Sequence, residues 1–282
     1  MNAWRESASL ILAARHTKRY IRSSSTKYNY NLLCMKRHQN SKFMPNAYVF
    51  PGGVTSPSDA DLKWHNLYSA FGFDTNSFTS LRPNTSNRPQ IFKFKPNELP
   101  KEISLRITAI RETFEECGIL LCKQSREDKR EDFGWAQYMN NLWSLYEWSN
   151  WLTPTFFSER YDTAFYLACV STVPQTICEV KEMEDLKWDM PGNYLFSSPD
   201  VTLPLPQQYE IARIAKFESI HNLLDFAIDR SKIGVLLNLP VKIELQDGKV
   251  LVLPGDSITD GHLAPLQLKN VSIAVTHENS KL

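Results

Sequence analysis

The sequence predicts an α+β fold on three observations. Short apolar runs of strand length lie near the N-terminus, one strongly amphipathic helix covers residues 102–117, and strand-like alternation returns between residues 161 and 182 ahead of a last long helix. A hydrophobic content of 42% over 282 residues is enough to fill an ordinary core.

Taken in order, Ser9–Ala14 and Tyr30–Met35 read as two strands joined by a polar, basic stretch. Glu6 and the strand-like pattern speak against a mitochondrial presequence at this end. Ala47–Phe50 reads as a third strand, stopped at Pro51-Gly52-Gly53, where proline removes a donor and glycine opens backbone angles closed to other residues. Residues 55–100 are rich in Ser, Asn, Asp and Pro, with Trp64, Tyr68, Phe71 and Phe73 scattered among them, and are expected to form an insertion of packed turns. Glu102–Cys117 is the clearest helix and ends at Gly118. Asp132–Trp151, dense in Trp and Tyr, is a second helical candidate; Tyr161–Val173 and Ile177–Glu182 alternate like paired strands; Gln207–Asp229 is expected to be helical.

Charge and composition exclude several functions. Lys plus Arg (32) nearly balances Asp plus Glu (31), so no whole-chain field favours nucleic acid or an anionic membrane, and a polyanionic ligand must be held by local groups. No apolar run approaches the ~18 residues of a bilayer span. The five cysteines, Cys34, Cys117, Cys122, Cys169 and Cys178, form no C-x-x-C pair and fit a reducing compartment, and the six histidines lack zinc-ligand spacing. Ser280-Lys281-Leu282 is the tripeptide that a peroxisomal import receptor reads at a free C-terminus, so the peroxisomal matrix is the expected location.

The chemistry concentrates on the helix at 102–117. At helical spacing Glu112, Glu115 and Glu116 share one narrow face, opposite Ile103, Ile107, Ile110 and Phe114, and Arg111 stands beside Glu115. Three carboxylates so close, near a helix C-terminus, repel one another and oppose the helix dipole. A hard dication reverses that balance, because Mg²⁺ or Mn²⁺ takes oxygen ligands and is commonly shared between carboxylates and substrate phosphates.

Arg111-Glu112-Thr113-Phe114-Glu115-Glu116-Cys117-Gly118-Ile119 resembles the second half of the Nudix box, R-E-U-x-E-E-x-G-U, with Thr113 in place of an aliphatic residue. Phe50-Pro51-Gly52-Gly53 resembles the loop that opens the box. Gly53 and Arg111 stand 58 positions apart instead of the family's fourteen, an excess of 44 residues. The place of the glutamate in the usual G-x5-E segment, counted back from the arginine, is occupied by Ile103, beside Glu102. A long insertion at this point is similar to that of the animal peroxisomal coenzyme A diphosphatase branch of the Nudix superfamily. Lys42–Val54, Trp148–Pro154, Arg160–Phe165 and Leu203–Glu210 resemble other segments of the same branch.

The resemblance implies a Nudix α/β/α sandwich with a mixed sheet over residues 1–242, interrupted by the insertion at 55–100 and followed by an extension at 243–282. It implies hydrolysis of the diphosphate of coenzyme A and its acyl esters to 3′,5′-ADP and (acyl-)4′-phosphopantetheine. In that chemistry Glu112, Glu115, Glu116 and the Gly53 carbonyl hold Mg²⁺ or Mn²⁺, with Arg111 orienting the cluster. A later acid, Glu182 or Glu184, is expected to complete the metal site, and Lys36, Arg37 and Lys42 are the candidates for a basic substrate pocket. NADH, nucleotide sugars or capped RNA stand as other Nudix substrates, with RNA disfavoured by the near-neutral charge. A non-catalytic Nudix binding module is the third reading, and the intact glutamates count against it.

Overall fold

β1 (Arg5–Arg15) carries consecutive apolar residues and is buried on both faces, which makes it the centre of a sheet covered on two sides. A computed structural model describes residues 4–16, 27–70, 72–121, 142–179, 183–196, 201–245, 248–253, 258–259 and 262–263. Among them an eight-stranded mixed sheet dominates. Its strands are β1, β2 (Tyr30–Arg37), β3 (Tyr48–Val49), β4 (Gly52–Val54), β5 (Tyr146–Leu152), β6 (Tyr161–Val170), β7 (Met183–Asp189) and β8 (Leu237–Asn238). Along one edge β1 pairs in parallel with β6, from Arg5↔Tyr161 to Ala14↔Val170. Its other edge is divided: Ala13–Arg15 pair with β2, whereas Ser7–Ser9 pair with β4. This division sets the Gly52–Gly53 turn against the middle of the sheet.

Strand alternation sends Ala8, Leu10 and Leu12 to one core and Ile11 and Ala13 to the other. After α1 (Lys63–Ala70) and α2 (Thr75–Thr79), α3 (Lys101–Cys117) fills the first core, with Ile103, Ile107 and Ile110 buried. Gly118 ends α3 in the left-handed conformation at φ 66°, its N–H donating to the Phe114 carbonyl at 2.9 Å. α4 (Pro191–Phe196) follows β7, and α5 (Leu205–Ile214) and α6 (Ile220–Ile233) cover the second core through Ile211, Ile214 and Leu223. The result is the α/β/α sandwich with a mixed sheet and added helices that the sequence led us to expect.

Four local expectations need correction. Residues 146–151 of the expected second helix belong to β5, because Glu147, Ser149 and Asn150 are buried between strands; the part at 132–141 lies outside the described residues. Of the strand expected at Ile177–Glu182, residues 177–179 form none, Ile177 and Glu179 donating backbone bonds to the end of α3 instead, and residues 180–182 lie outside the described residues; β7 runs from Met183. The last long helix is two helices, since Ser219 accepts the His221 N–H and restarts the helix after a turn at 215–218. Phe114 is 49% exposed, because the cover that buries α3 on all sides over its first ten residues does not extend over Phe114 and Glu115.

Much of that cover is the insertion. Tyr68, Phe78, Leu81, Ile91 and Phe92 join the same core as Ile103 and Leu105. Arg88 clamps the segment down, donating to both oxygens of the buried Glu147 on β5 at 2.7 and 2.9 Å while its guanidinium stacks on Phe92. It also approaches Glu102 at 3.4 Å, so Glu102 belongs to this structural network. Arg88→Met is therefore expected to cost about 3–5 kcal/mol in chemical denaturation, the scale of stranding one charge of a buried pair.

Candidate functional site

The site is built where the β3–β4 turn meets the last two turns of α3. The Pro51 carbonyl accepts from the Leu10 N–H at 2.8 Å and the Ser9 hydroxyl at 2.9 Å, which fixes the turn against β1. Gly52 has φ 152°, and a Cβ there would lie 2.4 Å from the Ala8 carbonyl oxygen, so this position requires glycine. Its N–H donates to Glu116 Oε2 at 2.8 Å. At Gly53 a Cβ would lie 2.5 Å from Glu112 Cδ and 2.6 Å from both of its oxygens. Two carboxylates of α3 thus close over the two glycines, despite the long excursion between them in sequence.

Arg111 ties the turn to the helix. It donates to the Val54 carbonyl at 3.1 Å, to Glu112 Oε1 at 2.8 Å and to Glu115 Oε2 at 2.9 Å. Its other partner is Asp59, which it engages through Nε and Nη2, both at 2.9 Å. Asp59 is buried and also accepts from the Thr108 hydroxyl and the Ser56 N–H, and it holds the Arg111 pKa above its ordinary value. Sequence reasoning missed Asp59. Counting six forward from Gly53, instead of eight back from Arg111, would have found it: the chain reads G-x5-D, and the excursion begins after this short helical turn at Pro57–Ala60. Asp59→Ala is expected to cost about 3 kcal/mol in chemical denaturation, since three donors lose a buried acceptor. A loss below about 1 kcal/mol would show that Arg111 is held by its other partners.

Glu112 and Glu116 line a cavity of about 490 Å³ together with Gly52, Gly53, Ser7 and Ser9. Burial pushes the Glu112 carboxyl pKa up even against the lowering effect of Arg111. Glu115 is 54% exposed at its side chain and turned to Arg111, away from the cavity lining. Of the three basic candidates only Arg37 reaches the cavity. Strand alternation turns the neighbours Lys36 and Arg37 to opposite faces of β2: Lys36 pairs with Glu184 at 3.0 Å, whereas Arg37 faces the cavity with its Nε buried and without a hydrogen-bond partner among the described residues. Lys42 is exposed, beside the cavity-lining Phe43. Glu184 is not brought to the carboxylates, being occupied by Lys36 and the Gln39 N–H; Glu182 and Ser280-Lys281-Leu282 lie outside the described residues. The four described cysteines are free, burial raising their pKa, and Cys122 lies outside.

The donor set suits a hard cation. The Glu112 and Glu116 carboxylates supply only oxygen, and Glu112 is partly desolvated beside other acids with one arginine to balance them. Among the described residues no three acidic, His or Cys side chains converge tightly by themselves. No helix of the described residues is long and apolar enough to cross a membrane.

Comparison with known proteins agrees with this geometry. The NUDT19 Nudix domain family matches residues 4–137 and 135–214. The acyl-coenzyme A diphosphatase NUDT19 of Xenopus laevis is 33% identical over 306 residues, covering 90% of this chain and 80% of that protein. Its namesake from Gallus gallus is 34% identical over 300 residues, covering 90% and 79%. Among solved structures, a NUDIX hydrolase from Alicyclobacillus acidocaldarius matches with a TM-score of 0.54 at 18% identity, over 80% of this chain and 97% of that one, which is a likeness of fold.

Proposed function

The chain belongs to the NUDT19 Nudix domain family, and from that premise we propose that it hydrolyses the diphosphate bond of coenzyme A and acyl-coenzyme A, giving 3′,5′-ADP and (acyl-)4′-phosphopantetheine. The observation that carries this reading is the closure of Glu112 and Glu116 over Gly52 and Gly53 in the lining of a cavity that Arg37 also lines. Divalent metals are general to Nudix enzymes, and Mg²⁺ or Mn²⁺ held by Glu112, Glu116 and the Gly53 carbonyl would polarise the diphosphate and lower the pKa of the attacking water.

The chain's own groups do the rest. Glu112, its pKa raised by burial, is placed to take the proton of the attacking water at a carboxylate oxygen. Asp59 and Arg111 keep that carboxylate oriented without neutralising the cluster, because Arg111 divides its charge among Asp59, Glu112 and Glu115. Arg37 supplies positive charge toward a phosphate of the bound substrate.

Mass spectrometry of coenzyme A incubated with the full chain and Mg²⁺ is expected to show the two phosphorylated fragments. Turnover of NADH or a nucleotide sugar, with none of coenzyme A, would replace the substrate assignment, and turnover of neither would leave a binding module. The reading extends to location: Ser280-Lys281-Leu282 supports delivery to the peroxisomal matrix through an import receptor. Removing this tripeptide should turn a punctate fluorescent fusion diffuse.

A further inference from the structure

The cavity has a polar feature that diphosphate chemistry leaves unused. Gln207, at the start of α5, is 9% exposed and lines the cavity. Its Oε1 is buried with no hydrogen-bond partner among the described residues. Leaving such a group unpaired is unfavourable, and a protein interior seldom does so without a reason.

One turn further along the same face of α5, Glu210 is fully buried and accepts from the indole N–H groups of Trp151 and Trp148, both at 2.7 Å. Trp151 lines the cavity, so the helix that presents Gln207 also fixes a flat aromatic surface there. Phe50 and Phe165, edge to face with ring centroids 6.3 Å apart, add further aromatic wall. A primary carboxamide among aromatic rings in a largely apolar space is a recognisable combination.

We infer that Gln207 reads the adenine base of the substrate's nucleotide half, its carboxamide pairing with the exocyclic amino group and the adjacent N7 while the aromatic walls take the ring. The inference rests on the coenzyme A reading only in taking the substrate to contain adenine. The pantetheine half fits the feature less well. A trans secondary amide presents its N–H and C=O in opposite directions, so one carboxamide meets only one of them. Adenine presents a donor and an acceptor side by side, which matches the two ends of the Gln207 carboxamide. On the N7 edge hypoxanthine offers two acceptors, O6 and N7, and cannot pair with both ends.

The test is calorimetric binding of 3′,5′-ADP and of its hypoxanthine counterpart to the full chain, as wild type and as Gln207→Leu and Gln207→Met, with thermal melts to confirm folding. Wild type is expected to prefer adenine by about 5- to 150-fold. In either folded variant that preference should fall to within about twofold. No preference in wild type, no measurable binding of 3′,5′-ADP, or a preference retained in the variants would overturn the inference. Hydrolysis of coenzyme A by wild type is followed in parallel. Turnover without adenine preference defeats only the role of Gln207, and adenine preference without turnover defeats only the substrate assignment.

Discussion

Glu116→Gln is expected to lower the rate of coenzyme A hydrolysis by about 10²–10³-fold, the scale on which one preorganised charge in a dry site acts. The substitution preserves volume, and the amide oxygen can still accept the Gly52 N–H that Glu116 now takes at 2.8 Å. The fold should therefore survive, with circular dichroism and thermal midpoint close to wild type. What is lost is one of the two negative charges that line the cavity beside the glycine turn. Activity within about threefold of wild type would remove Glu116 from the catalytic machinery.

Gly53→Ala is expected to be nearly as damaging, by a different route. The new methyl would overlap the Glu112 carboxylate, with all three of its terminal atoms within 2.6 Å, so either Glu112 swings away or the turn retreats. A displacement of about 1 Å in a reacting group costs on the order of 10²-fold. Glu112 is a side chain and can move, so stability should change little while kcat falls. Gly52→Ala is the contrasting case, because its methyl would meet the backbone of Ala8 and Ser9, which cannot move without breaking the sheet. Loss of activity with retained folding at position 53, and loss of folding at position 52, distinguishes a catalytic clash from a structural one. Steady-state kinetics and denaturant titration on both variants read the difference.

The parts of the fold that follow from local pattern were legible in the sequence. Consecutive apolar residues marked β1 and β2, and Gly118 marked the end of α3 through the left-handed conformation it supplies. β5 was not legible, because Glu147, Ser149 and Asn150 are buried by partners distant in sequence, Glu147 by Arg88 and Asn150 by Asp162. Burial of polar and apolar residues alike along this strand hides the solvent face that alternation would reveal. The break between α5 and α6 was hidden for a similar reason: Asn29, nearly 200 residues earlier in the chain, accepts the Ile220 N–H there.

The glutamates were legible from helical spacing, yet their separate placement was not. Spacing put Glu115 on the same face as Glu112 and Glu116, but Arg111 holds Glu115 at the solvent edge. Among Lys36, Arg37 and Lys42, composition could not say which would face the cavity, because that depends on which face of β2 the pairing with β1 and β7 turns toward it. Asp59 was concealed by the insertion that separates it from the arginine it serves.

Titration with Mn²⁺, read as the loss of the free-ion electron paramagnetic resonance signal, tests most directly whether the turn and the helix form one cation site. Wild type should bind Mn²⁺, and Glu112→Gln combined with Glu116→Gln should weaken that binding by about 10-fold or more without unfolding the chain. Equal affinity in wild type and in the doubly substituted protein would contradict the account.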